Sequence, residues 1–520
     1  MPAPMTPAAF ANEPLTDFTR EESLRKMEEA LGLTLAQCGK RYQLVIGGER
    51  YTTPEYFPSL NPARRGEVIG YFCKATEQHA EQAMQAALAA FESWREVPAE
   101  RRADLLFRAA SILRRRKLEL AAWMIYEVGK SWAEADADVA EAIDFCEFYA
   151  REMLRLAGDQ PLTRLAGERN ELRYIPLGVG IVIPPWNFPL AILCGMTAAS
   201  IVAGNTVVLK PSSDAPAIGY KFMEVLEEAG VPPGVVNFLT GPGAEAGDYL
   251  VQHPKARFVA FTGSKAVGLG ISEKAARVAP GQIWIKRASL EMGGKDAVLV
   301  ADDAALEAAV EGVAAAAFGF QGQKCSACSR AIVDERLYDS FLEKLVARTR
   351  AIVVGAPSDA RSHVGPVINE RAYRTILEYI EIGRSEGRIV TGGEPGPKDG
   401  WYIMPTVVAD VDPKARIAQE EIFGPVLAVM KCRDFEDGLR IANDTDYGLT
   451  GAVYTSSTQR LEEARRRFHV GNLYLNRKCT GALVGVHPFG GFNMSGTDSK
   501  AGGRDYLLLF TQAKAISEKI

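Results

Sequence analysis

No stretch of this chain reaches the ~18 consecutive apolar residues of a membrane-spanning helix, so no membrane span is expected. Residues Met1–Arg20 hold proline, threonine and charges without an apolar core, so no secretory signal is expected either. Charge of one sign is also missing. Lys+Arg total 60 against 65 Asp+Glu, and a net −5 supplies no field for nucleic acid or an anionic membrane. The longest basic run, Arg114-Arg115-Arg116-Lys117, is explained by a solvated helix face. Histidine is scarce: His79, His253, His363, His469 and His487 show no paired ligand spacing, so no metal is expected. Eight cysteines scattered over 520 residues make no disulfide framework, and a reducing cytoplasm fits them better. The chain also lacks internal repeats and low-complexity segments.

What is present suits large packed cores. The composition is 47% hydrophobic and 24% charged, and at roughly 150 residues per domain the length allows two to four domains. Apolar spacing predicts helices over 21–33, 77–95, 99–116 and 132–156, and a strand over Leu44–Glu49 closed by Gly47-Gly48. The charged stretch Thr163–Arg173 leads into a strand. From Gly178 short apolar runs (179–183, 206–210, 235–239, 257–261) alternate with helix-length segments (190–202, 215–229, 244–253, 265–279). That alternation predicts a doubly wound parallel sheet, which binds ligands at the carboxyl ends of its strands. A second alternating region runs from Ala297 to Leu473, and Tyr506–Phe510 with Lys514–Ser517 read as a terminal arm.

Two strand-end loops carry dinucleotide chemistry. Phe261-Thr262-Gly263-Ser264 ends a strand and opens a helix, with Gly268 one turn later. Gly263 would let backbone approach a phosphate, and the helix start offers free N–H groups. G-x-G-x-x-G is absent, so an ordinary strand–turn–helix remains an alternative at this point. Lys210-Pro211-Ser212-Ser213 adds a cation and hydroxyls at a neighbouring strand end, where a solvated lysine is the plain alternative. The loops Pro184–Pro189 and Thr240–Gly243 stand at the same edge.

The run Gly319-Phe320-Gln321-Gly322-Gln323-Lys324-Cys325-Ser326-Ala327-Cys328 follows the apolar segment Ala314–Phe318. Cys325 stands among small, polar and cationic residues, which suits a partly exposed thiolate whose pKa the neighbouring cation lowers. A small core residue is the alternative. Cys325 and Cys328 form a C-x-x-C that could hold zinc or act as a redox dithiol, but zinc needs two further ligands.

Seven ordered motifs carry a resemblance. They are Pro185-Trp186-Asn187-Phe188-Pro189, Lys210-Pro211-Ser212, Phe261-Thr262-Gly263-Ser264 and Leu290-Glu291-Met292-Gly293-Gly294-Lys295. Gly322-Gln323-Lys324-Cys325, Glu420-Glu421-Ile422-Phe423-Gly424-Pro425 and Pro488-Phe489-Gly490-Gly491 complete the set. In order and spacing the chain resembles the aldehyde dehydrogenase superfamily from about residue 45 to its end. Phe318–Arg330, Asn476–Gly485 and the helical N-terminus are similar to the branch that oxidises L-glutamate γ-semialdehyde, in its stand-alone bacterial form.

The resemblance implies an α/β fold of two doubly wound parallel-sheet domains, Rossmann-type and catalytic, with a small β oligomerisation arm. It divides the chain into an NAD(P)-binding domain (1–160 and 178–289), a catalytic domain (290–484) and the arm (161–177 and 485–520). It implies Cys325 as nucleophile, Glu291 as the base of thioester hydrolysis, and Asn187 with the Cys325 N–H as oxyanion donors. Pro185, Trp186, Lys210, Ser212, Ser213, Gly243, Gly263, Ser264, Gly268, Gly293, Glu421 and Phe423 would line the cofactor. Many NAD-preferring members have a glutamate where Ser213 stands, so NAD is expected with NADP possible. Ser326, Gly481, Ala482 and Lys324 would meet the substrate, its aliphatic chain boxed between Phe188 and Phe492. Tunnel packing alone is the plain reading of those residues. The expected activity is oxidation of L-glutamate γ-semialdehyde to L-glutamate in proline degradation. Another short semialdehyde, such as succinate semialdehyde, and an inactive scaffold of this fold are the alternatives. A cytoplasmic homo-oligomer built on an arm-exchanged dimer is implied.

Overall fold

Two seven-stranded sheets organise residues 8–520, which the computed structural model describes. The first seven residues, where segment 1–160 and the N-terminal stretch read for a secretory signal begin, lie outside the described residues. The first sheet runs in the order Arg287–Glu291, Ala256–Thr262, Val179–Ile183, Thr206–Leu209 and Val236–Phe238, all parallel. Thr206–Leu209 and Val236–Phe238 are buried at every position, as strands covered by helices on both faces must be.

An antiparallel hairpin, Leu44–Ile46 with Glu49–Tyr51, extends this sheet beyond Val236–Phe238. The single strand expected over Leu44–Glu49 is thus two. Gly47 and Gly48 have φ of 63° and 87°, the pair of left-handed residues that a tight hairpin turn needs. At the other edge, Arg287–Glu291 has no counterpart among the expected strands. Its sequence, Arg-Ala-Ser-Leu-Glu, is polar because it is an edge strand with one covered face.

A helix over Lys117–Val128, also not anticipated, begins directly after Ala99–Arg115. Trp123, Met124 and even Glu127 are buried in it, so it shows no polar face for periodicity to reveal. The Glu127 carboxylate accepts the N–H groups of Ala217 and Ile218 at 2.7 and 2.9 Å, closing the start of the helix Pro216–Ala229. The helix expected over 244–253 opens with a five-residue π-turn, Gly243–Gly247, before Asp248–Gln252.

The second sheet is ordered Arg388–Thr391, Thr406–Ala409, Val426–Cys432, Cys328–Asp334, Asp296–Val300, Thr450–Tyr454 and Asn472–Leu475. Only Arg388–Thr391 is antiparallel to its neighbour. A three-stranded sheet forms from Lys40–Tyr42, Val68–Cys73 and Tyr56–Leu60. Glu168–Pro176 pairs antiparallel with Thr511–Lys519 along nine residues, from Thr511 opposite Pro176 to Lys519 opposite Glu168. Among the described residues no helix is long and apolar enough to cross a membrane.

Candidate active site

In the first sheet Val179–Ile183 lies between Ala256–Thr262 and Thr206–Leu209, so the chain winds outward from it in both directions. The crevice at this reversal, outside the strands' carboxyl ends, is the ligand position of doubly wound sheets. Pro184–Pro189 leaves Val179–Ile183 there, and Thr262-Gly263-Ser264 leaves its neighbour. The second sheet turns its strand beginnings toward the same region: Asp296 starts one strand, and Cys325 precedes another that begins at Cys328. The Gly263 N–H donates to the Glu291 carbonyl at 3.0 Å, tying two of the motifs together.

The loop carrying Cys325 is held in a costly conformation. Phe320 and Gln321 have φ of 47° and 58°, a left-handed state that persists only where neighbours enforce it. Gln321 Nε2 donates to the carbonyls of Gly129 and Pro366 at 3.0 and 2.7 Å. Gln323 Oε1 accepts the Ile368 N–H at 2.9 Å, and the Gln323 carbonyl accepts Asn187 Nδ2 at 3.0 Å. Asn187 is thereby fixed two residues from the cysteine, with its second amide hydrogen free. Phe320 packs over the Lys130 ammonium at 4.5 Å, and Phe188 covers the same ammonium at 4.1 Å. Lys130 is fully buried and pairs with Asp138 at 2.9 Å.

The electrostatics of Cys325 differ from the expectation. Its thiol pKa is pushed well up, first by burial and then by the carboxyl groups of Asp296, Glu291 and Glu421. Lys324 does not offset this, because its ammonium is 2.6 Å from Glu134. Burial acts to raise the Glu134 pKa, but Lys324 and Lys130 hold it below the ordinary value. Cys328 is buried behind the loop, with its Sγ toward the Arg330 carbonyl.

Glu291 ends the edge strand of the first sheet. Burial raises its pKa to about 8, against the hydrogen bonds that favour the anion. Glu421 is pushed up to about 7 by burial and accepts the Gly294 N–H at 3.0 Å. A Cβ at Gly293 would collide with that Glu421 carboxylate. Asp296 accepts the Thr450 N–H at 2.6 Å and is raised to about 8 by burial. Lys295, buried without a hydrogen-bond partner, is lowered to about 7 by burial and by Arg330.

Along the crevice, Lys210 is buried and its pKa lowered to about 8. Ser212 Oγ accepts the Asp214 N–H at 3.3 Å, and Ser213 Oγ donates to the Gly241 carbonyl at 2.9 Å. Ser264 caps the helix Lys265–Ala276 through the Val267 N–H. Glycine at 263 and 268 answers to packing as well: a Cβ would strike the Phe261 ring at one and Met292 at the other. Gly243 opens the π-turn with open space beside it. Pro185 and Trp186 are half-buried, and the Trp186 ring meets Phe423 edge-on at 5.5 Å.

Ser326 is buried, and its carbonyl accepts from Thr450 Oγ1 at 3.4 Å and Cys479 Sγ at 3.5 Å. Arg477 Nη2 donates to the carbonyls of Thr480 and Gly481 at 2.9 and 3.2 Å. Gly481 has φ of 79° and Ala482 is half-buried. The two rings expected to box a substrate chain each meet a lysine ammonium. Phe492 pairs with Gly448 across a short ladder, and its ring lies 5.0 Å from His469, under the Lys500 ammonium at 5.2 Å. The Phe188 ring lies against the Lys130 ammonium.

The profile of the aldehyde dehydrogenase family matches residues 50–516. The chain belongs to the aldehyde dehydrogenase family. A 1-pyrroline-5-carboxylate dehydrogenase of Geobacillus sp. (strain WCH70) is 59% identical over 509 residues, 98% of this chain and 99% of that protein. That of Bacillus subtilis (strain 168) is 56% identical over 509 residues, with the same coverage of both. The crystal structure of 1-pyrroline-5-carboxylate dehydrogenase from Thermus with bound NAD has a TM-score of 0.98 at 53% identity. The match covers 99% of this chain and 100% of that one. The resemblance drawn from seven motifs is borne out.

Several side chains of this aldehyde dehydrogenase site went unremarked in the sequence. Gln321, Gln323, Lys130 and Glu134 set the cysteine loop, and Arg330 is buried, donating to the carbonyls of Lys295, Ile441 and Ala442 at 2.8–3.0 Å. Gln323 and Lys295 lie inside recognised motifs, which was a usable signal. Nothing local marks Glu134 or Arg330: the Lys324 partner of one is 190 residues away, and the Ile441 and Ala442 acceptors of the other are 111 and 112 residues away.

Proposed function

We propose that this aldehyde dehydrogenase oxidises L-glutamate γ-semialdehyde, the open form of 1-pyrroline-5-carboxylate, to L-glutamate, the second step of proline degradation. The observation that carries this reading is identity above half, end to end, with 1-pyrroline-5-carboxylate dehydrogenases. A panel of aldehydes assayed by NADH absorbance tests it. Preference for propionaldehyde or succinate semialdehyde rejects the substrate, and silence with every aldehyde rejects the enzyme.

The crevice residues fit NAD. Orphan N–H groups at the start of Lys265–Ala276 suit a pyrophosphate, and the buried Lys210 ammonium with the Ser212 and Ser213 hydroxyls suits a ribose. Glu421, an acceptor fixed by the Gly294 N–H, would take the hydroxyls of the second ribose, with Phe423, Trp186 and Pro185 beside the ring. When bound, NAD supplies the acceptor for the hydride that the aldehyde carbon loses.

The chain's own residues do the rest. Cys325 Sγ adds to the aldehyde carbon, and the free Asn187 N–H and the Cys325 N–H receive the oxyanion. Preorganised donors of this kind are worth ~2.7–4 kcal/mol of barrier each. Oxidation leaves a thioester on Cys325, and Glu291 takes a proton from the water that hydrolyses it. The three carboxyl groups around Cys325 oppose thiolate formation, so a bound cation near the site favours the nucleophile.

Cofactor choice turns on Ser213. With no carboxylate there, Ser213 itself sets no barrier to a 2′-phosphate, which keeps NADP possible beside NAD. Ser213→Glu is expected to lower kcat/KM with NADP far more than with NAD. An unchanged ratio of the two places Ser213 away from the ribose.

Ser326 with the Gly481 and Ala482 N–H groups would hold the substrate's α-carboxylate, and Lys324 stands nearby. A hydrogen bond to a charged group contributes ~1.5–3 kcal/mol, about 10- to 150-fold in kcat/KM. Ser326→Ala is expected to penalise glutamate semialdehyde by that factor and to spare propionaldehyde, which has no carboxylate. Equal losses with both aldehydes assign Ser326 to the nucleophile instead.

The two separate sheets support a cofactor domain (1–160 with 178–289) and a catalytic domain (290–484) with an arm of 161–177 and 485–520, except that the strand Arg287–Glu291 carries the first sheet two residues past 289. The two-stranded arm, marginal on its own and flanked by exposed Leu162 and Leu165, supports a homo-oligomer built on an arm-exchanged dimer. Eight free thiols suit a cytoplasmic location.

A further inference from the structure

The segment Gly490–Lys500 wraps the end of the edge strand. Met292 N–H donates to the Ser495 carbonyl at 2.7 Å, Thr497 N–H to the Leu290 carbonyl at 2.9 Å, and Glu291 forms an isolated antiparallel bridge with Gly496. A Cβ at Gly496 would sit 3.0 Å from Glu291 Oε1, and one at Gly490 would sit 3.2 Å from it. The wrap is therefore moulded to one rotation of the Glu291 side chain. Inside it, Ser499 Oγ donates to Glu291 Oε1 at 2.7 Å, and Ser499 is itself buried. The other carboxylate oxygen, Oε2, is buried with no hydrogen-bond partner.

An unsatisfied acceptor in a buried carboxylate is costly unless something arrives to use it. We propose that Ser499 is a positioning residue for the hydrolytic half of the reaction. Its hydroxyl occupies Oε1, fixes the carboxylate's rotation and leaves Oε2 as the acceptor for the attacking water. The inference rests on the reading of Glu291 as the base. In the step it serves, water's oxygen bonds to the thioester carbon and its proton passes to Oε2. The C–Sγ bond then breaks, releasing the acid and leaving Cys325 as thiolate.

The charged and titratable groups that face Glu291 are few. Lys500 favours its anion, but its ammonium is engaged by the Gly471 and Gly490 carbonyls at 2.7 and 2.9 Å and by Asp498 at 3.0 Å. Cys325 and Tyr506 both feel the Glu291 charge, and their own pKa values are raised. After burial, which raises the Glu291 pKa, the Ser499 side-chain bond is the strongest influence lowering it. Removing that donor therefore raises the pKa, so less base is present at a given pH.

The test follows decay of the acyl-enzyme by intact-protein mass after acid quench, with the full chain, NAD and L-glutamate γ-semialdehyde, across pH. Ser499→Ala is expected to form the acyl-enzyme with wild-type burst amplitude. The acid limb of its decay should move up by about one to two pH units. Ser499→Thr, which restores the donor, should return the limb. An unmoved limb, or equal slowing at every pH, overturns the inference. Should Ser499→Ala give no burst, Ser499→Cys keeps the shape with a weaker donor and reads the same limb. Glu291→Gln separates the two ideas. If its acyl-enzyme decays at the wild-type rate, the base reading fails and this inference with it. If that decay is slow while the Ser499→Ala limb stays put, only the role of Ser499 fails.

Discussion

Cys325→Ala is expected to lower dehydrogenase turnover by at least about 10⁴-fold while leaving cofactor affinity close to wild type. Without Sγ no thiohemiacetal forms, so the aldehyde carbon never reaches the state from which a hydride leaves. The variant should fold. The loop is held by Gln321, Gln323 and Asn187, and none of those bonds involves the cysteine side chain. Stopped-flow NADH absorbance measures the loss, and quenching of protein fluorescence by NAD measures binding. Substantial NADH production by the variant would sink the nucleophile assignment. Cys328→Ala is the control: its thiol is buried toward the Arg330 carbonyl, so turnover should stay near wild type.

Glu291→Gln should separate the two half-reactions. The first turnover is expected to give a full NADH burst, followed by turnover slower by roughly 10²–10⁴-fold as thioester accumulates. Glutamine keeps an oxygen for the Ser499 hydroxyl and the same shape, so the surrounding loop has no reason to move. The pH dependence carries its own sign. A base must be deprotonated, and burial raises Glu291 to about 8, so wild-type hydrolysis should rise with pH and level off above about 8. The variant's slow hydrolysis should lack that limb. Wild-type steady-state rates in Glu291→Gln reject the role.

The sequence by itself determined the family and the αβ alternation, and it supplied the residues proposed as reacting groups. The proposed phosphate loop, nucleophile and oxyanion donor lie in local patterns: Thr262-Gly263-Ser264, Gln323-Lys324-Cys325 and Trp186-Asn187 need only near neighbours to be recognised. Long helices such as Glu77–Trp94 and Ala99–Arg115 were legible because an apolar stripe against a solvated face repeats at the helical period. Lys117–Val128 was not, since burial on all sides erases the stripe. Only the tertiary structure decided the charge state around Cys325. Lys324 adjoins the cysteine in sequence, yet its ammonium goes to Glu134, 190 residues away, while Asp296, Glu291 and Glu421 act on the thiol. Likewise Ser499 reaches Glu291 across 208 residues, and the Phe492 ring lies against His469. The physical reason is the same in each case. A side chain's type is written locally, but its desolvation, its partners and hence its protonation are set by which distant segments the sheets bring against it.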